Sequence, residues 1–202
     1  MTVSLPERSA EAKGPITLRF PASDFLDDER LLALSSSNPD LRLERDAQGA
    51  LIVMPPAGGE TGDRNSEINM QLRLWAKQDG RGTTFDSSTG FRLPNSAVRS
   101  PDASWVKKSR LEILTEEQRK KFLPLCPDFV LELRSPTDGL KTLHDKMQEY
   151  MASGAQLGWL IDPDSKRAYI YRPEEVEALE NPQTLDGGPV LPGFALDLRE
   201  LG

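Results

Sequence analysis

The sequence predicts an α/β protein built on a mixed β-sheet that is flanked by helices. Apolar residues recur at helical spacing in several segments, and short runs with the character of strands separate these segments. This alternation is typical of a sheet covered by helices. The 202 residues, 37% of them hydrophobic, fit one domain of the usual size of roughly 100–200 residues. We expect a flexible N-terminal arm over residues 1–20 and one domain over residues 21–202.

The first half of the chain predicts a helix, a hairpin and a second helix. A short helix is expected in FPASDFLDDERLLALSSSNP, with Ser23 or Asp24 as its cap residue. The alternating pattern LRLERDAQGALIVM predicts a hairpin over residues 41–54. Apolar residues at helical spacing predict a helix over residues 61–79, which Gly80 ends. Short strands follow in GTTFDSSTGFRLP and DASWVKKS.

The second half predicts strands around one further long helix. TEEQRKKF indicates a short surface helix capped by Thr115. FVLEL is an almost continuous apolar run and predicts a buried strand that contains Glu132. A helix capped by Thr137 or Asp138 is expected to run to about Ser153. The runs LGWLID and RAYIYR predict two paired strands, and GFALDL predicts an edge strand.

The single cysteine and the single histidine exclude several kinds of site. With Cys126 alone, the chain has no disulfide framework and no cysteine-rich zinc site. With His144 alone, it has no pair of histidine ligands, and a Ser-His-Asp triad has one candidate histidine. Catalytic chemistry is therefore expected from carboxylates, lysines and metals bound by oxygen.

The charge balance and the N-terminal sequence bear on partners and location. A net charge of -7 argues against passive coating of DNA, because cations drive nonspecific binding to phosphates. The first residues have no apolar signal region, and no apolar run approaches the roughly 18 residues that a membrane helix needs. We therefore expect a cytoplasmic protein without a membrane partner.

Two acidic residues lie in or beside predicted strands, where unpaired charges are costly. Asp102 follows Pro101 at the start of the ASWV strand, and Glu132 lies within VLEL. If the two strands pair at the usual spacing of about 5 Å, both carboxylates can converge on one hard cation. In the alternative interpretation, each acid caps a strand end or pairs with Arg99 or Arg134.

Lys146 and Glu60 are further candidates. Lys146 lies on the helix after the Glu132 strand, where it could orient a water molecule and offset charge on a phosphoryl transition state. Alternatively, it is a solvated lysine paired with Glu149 or Asp145. Glu60 precedes the predicted helix over residues 61–79, and it could complete a metal site or act as a cap.

These residues carry a resemblance to a known family. Pro101-Asp102, Glu132 in a strand and Lys146 on the next helix resemble the pattern of the PD-(D/E)xK nuclease superfamily. Within it, RSPDASWV, CPDFVLELRSPTDGLKTLHDKMQEYMASGAQLGWLIDP and GFALDL resemble the bacterial Uma-type restriction endonuclease family, long known as a domain of unknown function. The resemblance extends from about residue 21 to residue 198.

The resemblance implies a restriction-endonuclease-like fold with an αβββαβ core and a DNA endonuclease that hydrolyses phosphodiester bonds. It implies that Asp102 and Glu132 bind Mg²⁺ or Mn²⁺ and that Lys146 completes the catalytic residues. Arg134 occupies the position where the superfamily usually has lysine, and it could supply positive charge. Glu60 resembles the acid that many members carry on a helix, although Glu67 competes for that role. Relatives of this fold commonly pair, so a homodimer is expected.

A different class of function is the alternative. The chain could be a catalytically inactive nuclease-like module that binds nucleic acid or a partner protein. The presence of Asp102, Glu132 and Lys146 favours the enzyme, because an inactive descendant is expected to have lost at least one of them.

Overall fold

The structure, a computed structural model, describes residues 14–21 and 26–201. In chain order the elements are β1 (Ile16–Leu18), α1 (Asp28–Ser37), β2 (Arg42–Arg45), β3 (Leu51–Met54), α2 (Gly59–Asp79), β4 (Gly82–Asp86), β5 (Phe91–Arg92), β6 (Val98–Arg99), β7 (Ala103–Lys107), α3 (Lys108–Glu112), α4 (Glu116–Arg119), β8 (Phe129–Leu133), α5 (Leu140–Ala152), β9 (Leu157–Asp162), β10 (Arg167–Arg172), β11 (Glu175–Glu180), β12 (Thr184–Asp186) and β13 (Ala195–Asp197), followed by a 3₁₀ turn (Arg199–Leu201).

The larger of the two main sheets has six strands in the order β11-β10-β9-β8-β7-β4. Strands β8 and β9 are parallel, whereas the neighbouring pairs are antiparallel. A parallel pair needs a crossover connection, and α5 supplies it between β8 and β9. The mixed sheet with flanking helices confirms the predicted fold class.

The second main sheet has five strands in the order β1-β3-β2-β6-β5. The predicted hairpin over residues 41–54 is present as β2 and β3. Strand β1 pairs antiparallel with β3, so part of the expected N-terminal arm is an edge strand. Residues 1–13 of that arm lie outside the described residues.

Helices α2 and α5 cover opposite faces of the six-stranded sheet, because successive side chains of a strand point to opposite faces. One face packs against α2 through Trp105, Leu131 and Trp159. The other face packs against α5 through Val106 and Val130. The side chains of residues 102, 104, 130 and 132 should therefore point towards α5, as the alternation continues along each strand.

Two helices begin later than predicted. Helix α1 begins after Asp27, whose side chain accepts a hydrogen bond from the backbone N–H of Arg30. The expected caps, Ser23 and Asp24, lie outside the described residues. None of the helices in residues 14–21 and 26–201 combines the length and apolar character that crossing a membrane requires.

Helix α5 begins after Gly139 instead of after Thr137 or Asp138. The side chain of Asp138 instead accepts hydrogen bonds from the backbone N–H and the hydroxyl of Ser135, and no side chain caps the helix. Thr115 caps α4 as predicted, because its hydroxyl accepts from the backbone N–H of Gln118. In return, the side chain of Gln118 accepts from the backbone N–H of Thr115, which completes a capping box.

The C-terminal part contains two strands that the sequence pattern did not predict. Strand β11 lies at the edge of the six-stranded sheet, and most of its side chains are exposed. Strand β12 pairs with β13 in a separate two-stranded sheet. The predicted GFALDL strand therefore exists as β13, and its partner is this small sheet.

Candidate active site

Strands β7 and β8 place Asp102 beside Glu132. The strands pair with Ala103 opposite Leu131, so continuing the register by one residue sets Asp102 opposite Glu132. The backbone N–H of Leu133 donates to Oδ2 of Asp102 at 2.9 Å. Asp102 is 5% exposed and Glu132 is 2% exposed. The two acids that the sequence singled out therefore lie together in a buried position at the ends of adjacent strands.

Helix α5 contributes Lys146 and Tyr150 to these acids. The two residues are four positions apart and so lie on the same face of the helix. Nζ of Lys146 lies 2.8 Å from Oε1 of Glu132, and the hydroxyl of Tyr150 donates to the same oxygen at 3.1 Å. The structure thus brings together Asp102, Glu132 and Lys146, the three residues predicted for catalysis.

Strand β2 of the other sheet adds two residues that the sequence reasoning missed. Oε1 of Glu44 accepts a hydrogen bond from Nζ of Lys146 at 2.9 Å. Nη1 of Arg42 donates to Oδ1 of Asp102 at 2.7 Å. The sequence feature that could have identified them is the segment LRLER, where Arg42 and Glu44 alternate with leucines. That pattern is equally typical of a hairpin whose polar face meets water.

Strand β6 and α5 extend the cluster with a second ion pair. Arg99 donates from Nη1 to Oε2 of Glu44 at 3.1 Å and from Nε to Oε2 of Glu149 at 2.5 Å. The backbone N–H of Ser100 donates to Oε1 of Glu44 at 3.0 Å. The charge cluster, a term kept below for these residues, consists of Arg42, Glu44, Arg99, Asp102, Glu132, Lys146 and Glu149.

The pKa values of the two glutamates nearest Lys146 move in opposite directions. Burial raises the pKa of Glu132 to about 7, and the neighbouring charges of Asp102 and Glu44 act in the same direction. Burial alone would also raise the pKa of Glu44. The attraction of Lys146 and of two arginines outweighs burial and lowers the pKa of Glu44 to about 2. Glu132 therefore holds a proton to higher pH than an ordinary glutamate, whereas Glu44 stays ionised at neutral pH.

Lys146 keeps its positive charge inside the protein. Burial lowers the pKa of its ammonium, but Glu132 and Glu44 raise it to above its usual value overall. A protonated ammonium has three donors and no acceptor. Lys146 can therefore donate hydrogen bonds and neutralise negative charge, but at neutral pH it cannot take a proton from water.

The two additional candidates lie apart from the charge cluster in the described residues. Glu60 lies in the first turn of α2 with its side chain 74% exposed, and it pairs with Arg64 at 2.6 Å. Arg134 pairs with Asp162 at 2.7 Å. Within the described residues, neither forms a hydrogen bond or an ion pair with the predicted catalytic residues, so their roles in a metal site or in catalysis stay predictions.

Within the described residues, the two acids do not pair with Arg99 or Arg134, and Lys146 does not pair with Glu149 or Asp145. Asp102 pairs with Arg42, and Glu132 pairs with Lys146. Asp145, the other partner considered for Lys146, pairs with Lys141. Lys146 is buried, so it is not the solvated lysine of the alternative interpretation.

The single histidine and the single cysteine lie outside the charge cluster. Nδ1 of His144 is hydrogen-bonded to the hydroxyl of Tyr171, and its ring packs edge-on against Tyr169. Cys126 is buried, and burial raises the pKa of its thiol to about 12. A thiol that stays protonated is a poor nucleophile, so Cys126 acts as a small apolar residue.

The donor set of Asp102 and Glu132 fits a hard divalent cation. Mg²⁺ uses oxygen ligands and typically takes one or two carboxylates, with water completing its coordination. Within the described part of the chain, Lys146 and Tyr150 both contact Oε1 of Glu132. Within that same part, no group of three or more His, Cys, Asp or Glu residues is placed to hold a metal ion. The fit is therefore to a two-carboxylate site.

Comparison with solved structures first defines the class of fold. The chain is similar to the crystal structure of "a putative nuclease belonging to DUF820" from Anabaena variabilis ATCC 29413, with 24% sequence identity and a TM-score of 0.67. The match covers 79% of this chain and 88% of that chain. The chain therefore shares the α/β fold of that structure.

Comparison with family models then identifies the family. The model of the Uma2 family, described as "Putative restriction endonuclease", matches residues 28–199. The chain belongs to this family, as the sequence motifs predicted. A comparison with curated proteins finds no match.

Proposed function

We propose that the chain is a metal-dependent DNA endonuclease that hydrolyses phosphodiester bonds. The observation that carries the proposal is the contact of Lys146 with Glu132, which itself lies beside Asp102 on the neighbouring strand. Two carboxylates beside a lysine form a charge pattern that suits metal-assisted hydrolysis of a phosphodiester, in which a cation and a positive side chain offset phosphate charge. Membership of the Uma2 family supports the same reaction class.

In this proposal Asp102 and Glu132 hold Mg²⁺ or Mn²⁺. When bound, such a cation supplies Lewis-acid chemistry, since it neutralises phosphate charge and makes water more acidic. The protonated Lys146 donates a hydrogen bond and offsets the negative charge that develops on the phosphoryl group. Arg42 has the most exposed side chain among these four residues, at 31%. It can therefore contact a phosphate that arrives from solvent.

One observation favours the alternative, a catalytically inactive module that binds nucleic acid or a partner protein. Asp102 and Glu132 are almost completely buried, and Arg42 already occupies one oxygen of Asp102. In an active enzyme this guanidinium must leave that oxygen or share it when a cation binds. An inactive module needs no such rearrangement. The homodimer, the DNA partner and the cytoplasmic location stay predictions.

A cleavage assay separates the two functions. The parent chain is incubated with plasmid DNA, single-stranded DNA and RNA in Mg²⁺, in Mn²⁺ and in a chelator. We expect cleavage of DNA in either metal, and a loss of about 100-fold or more in Asp102→Asn, Glu132→Gln and Lys146→Met. The matched control is Glu180→Gln, which changes an exposed carboxylate on β11 that pairs with Arg167 of β10.

Two results would contradict the enzyme. Equal cleavage by Asp102→Asn and the parent would remove Asp102 from the reaction. No cleavage by the parent, together with no thermal stabilisation by Mn²⁺, would favour the inactive module.

A further inference from the structure

We infer that Glu44 is a positioning residue of the proposed nuclease site, holding the Lys146 ammonium in place and fixing the backbone that leads into Asp102. This inference rests on the proposed function. Glu44 belongs to β2, in the five-stranded sheet, whereas Asp102, Glu132 and Lys146 belong to the other sheet and to α5. Glu44 therefore connects the two halves of the fold at the site.

The hydrogen bonds of Glu44 show how it acts. Oε1 accepts from Nζ of Lys146 at 2.9 Å and from the backbone N–H of Ser100 at 3.0 Å. Oε2 accepts from Arg99 at 3.1 Å. Ser100 lies two residues before Asp102, so one carboxylate restrains both the lysine and the segment that carries the neighbouring acid. With a side chain 2% exposed, Glu44 is screened little by solvent.

The same contacts argue that Glu44 does not bind the metal directly. Glu44 is held between two cations, Lys146 and Arg99, and Oε1 also accepts from a backbone N–H. Asp102, by comparison, contacts one cation, Arg42. The ammonium of Lys146 contacts both Glu44 and Glu132, so a cation lies where a shared metal ion would need space. No three-acid metal group is found among residues 14–21 and 26–201. Glu44 therefore acts through Lys146.

Removing the charge of Glu44 changes what Lys146 contacts. The ammonium now has two carboxylate partners, Glu44 and Glu132. Without Glu44 it would pair with Glu132 alone and would compete more strongly for the carboxylate assigned to the metal. Arg99 would keep Glu149 as its partner. The amide oxygen of a glutamine can still accept the hydrogen bond from the backbone N–H of Ser100. The expected defect of Glu44→Gln is therefore specific to the position of Lys146.

The test is a double-mutant cycle of Glu44→Gln and Lys146→Met. Under saturating DNA and Mn²⁺, we expect Glu44→Gln to lower kcat by about 10- to 100-fold, the usual cost of losing a residue that orients a ligand, with KM for DNA unchanged. In the Lys146→Met background the same substitution should lower kcat no further, because its target is gone. Glu180→Gln is again the surface control. If Glu44→Gln does not fold, Glu44→Asp is used in its place. It keeps the charge, but its shorter side chain moves the carboxylate away from Lys146.

Two measurements that do not depend on DNA cleavage are made on the same variants. Mn²⁺ titration should give the parent's stoichiometry in Glu44→Gln and no binding in Glu132→Gln. Urea unfolding in a chelator should show that the losses in stability from Glu44→Gln and Lys146→Met are not additive.

The outcomes separate this inference from the proposed function. If the parent is active and Glu44→Gln and Lys146→Met lower kcat multiplicatively, the positioning role alone is overturned. Loss of Mn²⁺ binding in Glu44→Gln would overturn it as well. Additive losses in unfolding would overturn the contact between Glu44 and Lys146. An inactive parent with non-additive unfolding would overturn the nuclease and leave the contact intact.

Discussion

The raised pKa of Glu132 predicts that stability depends on pH and that a neutral residue at this position removes the dependence. Burial raises this pKa from its ordinary value of 4.5 to about 7. Between these values the folded chain holds a proton that the unfolded chain has released. Stability therefore falls as the pH rises through this window and is constant above it.

The size of the effect follows from the same shift. Each tenfold change in proton affinity is worth about 1.4 kcal/mol, so ionising Glu132 in the folded chain costs on the order of 3 kcal/mol. Glu132→Gln keeps the shape and an acceptor for Tyr150 but cannot ionise. We expect the free energy of unfolding of Glu132→Gln, relative to that of the parent, to rise by about 3 kcal/mol from pH 5 to pH 8.

The assay is urea unfolding of the parent and Glu132→Gln in a chelator at pH 5 and at pH 8. Glu44 does not disturb the comparison, because its low pKa places its titration below this window. Glu180→Gln, on the exposed edge strand β11, should follow the parent at both pH values. A difference between parent and Glu132→Gln that stays the same at pH 5 and pH 8 would refute the reasoning, since Glu132 would then be ionised throughout.

Three further predictions concern the same cluster and the core. Lys146→Met should lower the free energy of unfolding by about 3–5 kcal/mol at pH 8, because it leaves Glu44 and Glu132 buried without their shared cation; an unchanged urea midpoint would contradict this. Mn²⁺ should raise the Tm of the parent more at pH 8 than at pH 6, because a carboxyl must lose its proton to bind a metal, and an equal rise in Glu132→Gln would count against this site. Gly82→Ala should cost about 1–3 kcal/mol in urea unfolding, because a Cβ at residue 82 would lie 2.2 Å from the buried ring of Trp105; full stability would show that the ring can move.

The sequence pattern and the family resemblance together selected Asp102, Glu132 and Lys146, which the structure places in one cluster; their catalytic roles stay predictions. Glu132 was identifiable because an acid inside the apolar run FVLEL needs a partner. The strand register and the position of Lys146 on the following helix then brought these residues together. Here the local pattern and the tertiary arrangement agree, because adjacent strands and their crossover helix are neighbours in space.

The contribution of β2 could not be predicted by the same reasoning. Alternating leucine and charge in LRLER is typical of a strand with one face in water. In the structure both faces are covered, so Glu44 and Arg45 are buried along with Leu43. Which surface covers a polar face depends on how the two sheets meet, and periodicity carries no information about that.

Strand β11 was missed for the opposite reason. Its sequence EVEALE has no buried face in the structure apart from partial cover of Leu179. An edge strand with both faces in solvent leaves no burial pattern to detect. Glutamates along such an edge also discourage pairing with another chain, so their polarity is consistent with the position of the strand.

The contact between Glu44 and Lys146 also has a consequence for how the chain folds. These partners are 102 positions apart in sequence, so their meeting closes a very long loop and has an entropic cost that local structure cannot offset. The β2–β3 hairpin and the β8–α5–β9 unit can each form from nearby residues, whereas their docking cannot. We therefore expect the ionic centre to be completed late in folding, and its loss to accompany separation of the two sheets.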